Sequence, residues 1–142
     1  MSSPALRSAA RLAGALPPPR RVSALAALSP RAHAVVAALR CIAAGLSDCP
    51  SMGRLADDGL GCARGEGLAR VFVFARMLAH AAHRPLAVGW PGCGALTGLE
   101  RAIAAALEDD GDVGALGAIL GGPPDAALAF ALASLRAGAA TR

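Results

Sequence analysis

Apolar residues recur at helical spacing along two stretches of the chain. In the first, Val35, Val36, Leu39, Ile42 and Ala43 follow Ser29-Pro30 and run up to Gly45. A serine oxygen can accept from the free amides of a first turn, and proline is pre-set for its first position, so a helix is predicted to begin at residue 30. Residues 46–67 are rich in Gly, Asp and Ser, with room for a short helix over 50–58 that closes at Gly59. Leu68, Val71, Phe72, Ala75, Leu78, Ala79 and Ala82 then share one face and predict a helix over about 65–82. It holds two of the three phenylalanines, which makes it the expected central element.

Arg84-Pro85 stops that helix, because the residue before a proline is pushed out of the α region. Residues 86–90 are the best strand candidate, or else an extended connector of the same length. Pro91-Gly92-Cys93-Gly94 reads as a turn, and Thr97-Gly98-Leu99-Glu100 has the spacing of a capping box. The box predicts a helix from about residue 98 that ends by Gly111. Asp112 and Asp125 are N-cap candidates for two more helices, about 113–120 and 125–137, the second preceded by Pro123-Pro124. Near the start, Ser3-Pro4 opens a short basic helix ending at Gly14, before the stiff break Pro17-Pro18-Pro19. The expected fold is all-α, a small bundle of five or six short helices with at most one short strand near residues 86–90. Residues 29–142 form one helical domain, preceded by a basic, flexible arm over residues 1–28.

Composition changes this picture in one respect. The 142 residues include 37 Ala and 17 Gly but no Lys, Asn, Gln or Tyr, which fits a GC-rich genome. Leu, Val, Ile and Phe together number 33, about 23% and just above the roughly 20% level associated with disorder. The core is therefore expected to be thin, with stability coming from close helix contacts rather than bulky side chains.

Charge is unevenly placed. Residues 1–47 carry six arginines and no acid, while residues 48–142 carry eight arginines against ten acids, which together give the net +4. The basic arm has no aromatic residue to stack on bases, so nucleic acid is not the expected partner. It keeps one anionic-surface reading, a basic amphipathic helix over residues 1–28 on membrane or nucleic acid. The longest stretches without a charge, 85–99 and 113–124, are too short for a spanning helix and are broken by Gly and Pro, so no transmembrane segment is expected. Residues 1–16 lack the continuous apolar core of a secretory signal. A cytoplasmic location with free thiols follows for Cys41, Cys49, Cys62 and Cys93, which contain no Cys-x-x-Cys pair. Cys41 falls on the apolar side of its helix and is expected to pack as a small hydrophobe.

Two constellations carry candidate chemistry. Gly89-Trp90-Pro91-Gly92-Cys93-Gly94 places a thiol in a glycine-walled turn ahead of a helix, where free amides and the helix dipole favour a thiolate. Gly92 and Gly94 would let a ligand approach the backbone, and Trp90 would give it a flat apolar surface. The plainer alternative is a tight connection whose Trp90 plugs the core. The order Gly-x-x-Gly-x-Gly is not the dinucleotide fingerprint, and no βαβ unit surrounds it. His80 and His83, three apart at the end of the central helix, form the second constellation. They either join Cys93 around a metal ion or interact with the last carbonyls of their helix. Glu108, Asp109, Asp110 and Asp112 do not match a calcium loop, and Asp57 and Asp58 read as exposed surface.

Ala38-Leu39-Arg40 leading to Gly45-Leu46-Ser47-Asp48, Phe74-Ala75-Arg76-Met77, Arg84-Pro85-Leu86, and Leu96-Thr97 with Glu100 carry a resemblance. Over residues 33 to about 108 the chain resembles an uncharacterised family of small bacterial proteins, a domain of unknown function. In that family's pattern the turn carries several adjacent cysteines and a proline, whereas here Cys93 stands alone between two glycines. The resemblance implies a soluble bacterial protein and no particular mechanism. With no complete catalytic set and no cofactor motif, the expected function is non-enzymatic, through a protein partner or a homo-oligomer. The competing expectation is a thiol or metal site centred on Cys93 with His80 and His83.

Overall fold

A computed structural model describes residues 23–46, 48–108 and 111–137, and these form an all-α bundle. Its helices are α1 (Pro30–Ala43), α2 (Pro50–Leu60), α3 (Glu66–Ala81), α4 (Gly98–Leu107), α5 (Gly114–Leu120) and α6 (Ala126–Ala137). No strand occurs among the described residues. Residues 86–90 run extended without a pairing partner, because side chains take their backbone groups: Thr97 donates to the Ala87 carbonyl and Glu100 accepts from the Gly89 amide. The predicted helix over residues 4–14 lies outside the described residues. Residues 23–28, the end of the expected arm, form a turn that is tied to the domain where Leu25 N–H donates to the Gly94 carbonyl (2.9 Å).

The helix starts follow local chemistry. Ser29 Oγ accepts from the Ala32 amide (3.2 Å) at the start of α1, with Pro30 in the first turn. Both halves of the Thr97–Glu100 capping box are present in α4. Asp125 Oδ1 accepts from the Leu128 amide (2.8 Å) at the start of α6. Asp112 acts one residue ahead of the predicted position: Val113 is the N-cap of α5, and Asp112 Oδ1 accepts from the Gly114 amide. α2 runs past Gly59 and stops at Gly61, whose φ of 67° is the left-handed conformation glycine adopts at no steric cost. α4 stops at Leu107, four residues before Gly111.

α1 packs on α2 and α4, while α3 packs on α2 and α6. Leu39, Leu60, Val71, Phe74, Ile103, Leu116, Leu128 and Leu135 lead one continuous core. Small residues set the spacing of the helices. A Cβ on Gly59 would fall 2.8 Å from the Pro30 carbonyl oxygen, and one on Gly67 would fall 2.6 Å from the Ala56 backbone. The expected face of α3 is corrected: Gly67, Val71, Phe74 and Leu78 are buried, whereas Phe72 and Ala79 are exposed. Residues 71–74 are all apolar, so periodicity alone could not fix which phenylalanine points inward. Asp57, expected at the surface, instead caps α3 by accepting from the Gly65 and Gly67 amides (2.8 and 2.7 Å). Cys41 is buried as expected. No helix among the described residues is long and apolar enough to cross a membrane.

Candidate functional site

α1 carries an arginine on its inward side. Arg40 is 1% exposed, and its partner Glu100, in the first turn of α4, is wholly buried. Taking two charges out of water costs several kcal/mol each unless hydrogen bonds replace the lost hydration, and here they do. Arg40 Nε donates to Glu100 Oε2 (2.7 Å) and Nη2 to Oε1 (2.9 Å), the two-pronged geometry that favours arginine over lysine. Nη1 also donates to the carbonyls of Cys93 (2.5 Å) and Trp90 (3.3 Å), and Nη2 to that of Ala95 (2.6 Å). All five guanidinium N–H groups are thereby committed. Glu100 further accepts from the amides of Gly89 (2.8 Å) and Thr97 (2.9 Å).

Two consequences follow for ionisation. Burial alone would raise the Glu100 pKa, but the Arg40 hydrogen bonds and the Gly89 and Thr97 amides outweigh it and hold the carboxyl at about 2. The same hydrogen bond to Glu100 raises Arg40 above its ordinary value against the opposing effect of burial. The pair stays charged and closed to solvent. It cannot exchange a proton with a substrate, so it acts as a clamp on residues 89–95.

The clamped segment has little freedom. Trp90-Pro91-Gly92-Cys93 is a tight turn closed by the Cys93 amide on the Trp90 carbonyl (3.0 Å), with Gly92 at φ +88°. A Cβ on Gly89 would fall 2.8–3.0 Å from the Arg40 guanidinium, so the glycine makes room for the arginine. What the turn presents outward is Trp90, 77% exposed, and the exposed Cys93. Trp90 is therefore not a core plug: the guanidinium occupies the interior of the loop.

The remaining sequence candidates are placed as follows. Gly92 serves the turn, while Gly94 lies against Ser23, whose Cβ would be 2.8 Å from an added Cβ. At the start of α4 the capping box takes two amides, those of Thr97 and Glu100, and Cys93 bonds to neither. His80 and His83 are exposed and together line a cavity of about 270 Å³ beside residues 120–125. Cys93 is not among the residues of that cavity. No group of three His, Cys, Asp or Glu side chains suited to a metal ion occurs among the described residues. Neither imidazole makes a hydrogen bond among the described residues, and His80 lies in the last turn of α3. Cys49, which spacing did not single out, lies exposed at the start of α2 with Ser51 Oγ 2.9 Å from its sulfur. That hydroxyl draws its pKa below the ordinary thiol value, whereas burial pushes Cys41 up.

No protein-family model, curated protein or solved structure matches this chain.

Proposed function

We propose that the protein is a non-catalytic helical module that works by association with another protein surface, a second copy of itself being the favoured partner. The observation that carries this reading is Trp90, the largest apolar side chain in the chain and 77% exposed on a backbone held from within. An aromatic side chain has few rotatable bonds to order on binding, and on a held backbone it costs little to immobilise. The outer side of α6 supports a like partner. Phe130 is 76% exposed there, with Ala126, Ala127, Ala129 and Ala133 around it and no charged side chain among them. A bacterial cytoplasm suits the four free thiols.

Sedimentation equilibrium from micromolar to millimolar concentration tests the proposal. The wild-type chain is expected to form a reversible dimer. Trp90→Ala and Phe130→Ala are each expected to weaken it about tenfold or more, with unchanged far-ultraviolet circular dichroism. A wild-type chain that stays monomeric throughout overturns the reading.

A further inference from the structure

Between α1, α3 and the extended segment after α3 lies an apolar cleft of about 380 Å³, within the size range of small-ligand sites. Leu39 and Ile42 of α1, Ala75 and Leu78 of α3, and Leu86 and Val88 form its principal walls. Among the described residues that line it, the one charged side chain is Arg84. Arg84 is exposed and makes no hydrogen bond or ion pair among the described residues.

We propose that this cleft is a binding site for a small amphipathic carboxylate, an aliphatic acid whose tail lies along the apolar walls and whose head group meets Arg84. The reasoning is complementarity of two kinds. A neutral apolar molecule would fill the walls and leave the guanidinium unused, and a cationic amphiphile would be repelled by it. A carboxylate matches the guanidinium geometry, and the chain behind it removes apolar surface from water at about 0.8 kcal/mol per methylene. Nothing in this assignment depends on the chain associating with itself.

Isothermal titration of the full chain with hexanoate, octanoate and octan-1-ol tests the site. Octanoate is expected to saturate one site per chain, and each methylene removed to weaken binding about fourfold. Octan-1-ol is expected to bind about fivefold more weakly than octanoate, the scale of a partly exposed ion pair. Arg84→Gln should bring octanoate down to the affinity of the alcohol and leave the alcohol unchanged, which separates loss of head-group recognition from loss of the cleft. Ala79→Leu, on the cleft wall, should weaken both ligands. Equal wild-type affinity for acid and alcohol overturns the proposal. So does the absence of saturable binding, or octanoate binding that Arg84→Gln or Ala79→Leu leaves untouched.

Discussion

A guanidinium with every N–H committed has nothing left to offer a substrate, and its value to this protein lies in what it holds still. Removing the carboxylate alone should be expensive: Glu100→Gln leaves Arg40 charged and buried and is expected to cost about 3–5 kcal/mol in urea unfolding. The pair was only half legible in the sequence. The capping-box spacing identifies Glu100, but a cap needs no buried arginine, and Arg40 enters the charge pattern only as one of the six arginines of residues 1–47. The missed signal was position. Arg40 lies four residues after Val36 on the side of α1 that also carries Leu39, and an arginine there requires an acid opposite it. The thiols are separated by the same residue-scale reasoning. Cys49 is exposed with its pKa lowered by Ser51, while Cys41 and Cys62 are buried. Thiol titration of the native protein should label Cys49 and Cys93, with Cys49 reacting at a pH below that of an ordinary thiol, and should reach Cys41 and Cys62 only on unfolding.

Among the elements, helix existence was legible and helix orientation was not. Ser29-Pro30, the Thr97–Glu100 box and Asp125 are short-range devices whose partners lie within three residues, so the sequence displays them whole. Asp57 capping α3 from α2, and the inward choice of Phe74 over Phe72, depend on neighbours that only packing brings together. The glycines of α2 make the same distinction measurable. Gly59→Ala would drive a methyl to 2.3 Å from the Ala34 Cβ and should destabilise by about 1–3 kcal/mol. Gly53→Ala, on the same helix, meets nothing within 4 Å and should stabilise by up to about 1 kcal/mol through helix propensity. Thermal unfolding of the two variants should shift in opposite directions.

For the whole molecule, the depressed Glu100 pKa becomes a dependence of stability on acid. A carboxyl at about 2 in the folded chain and near its ordinary 4.5 when unfolded contributes stability that is complete above about pH 4.5 and is lost as pH falls towards 2. The difference in unfolding free energy between wild type and Glu100→Gln should therefore be constant near neutrality and shrink across that window. A difference that holds its full size down to pH 2 would remove Glu100 as the acid-sensitive group.

Arg40 and Glu100 are also 60 residues apart in the chain. At a synthesis rate of about 5–20 residues per second, Arg40 joins the chain about 3–12 s before its counter-ion exists. Throughout that interval the cation is better hydrated than enclosed, so α1 cannot settle into its final place. Maturation of the first half thus waits on the arrival of the second, and a nascent chain cut short before residue 100 would retain an arginine with no interior to occupy.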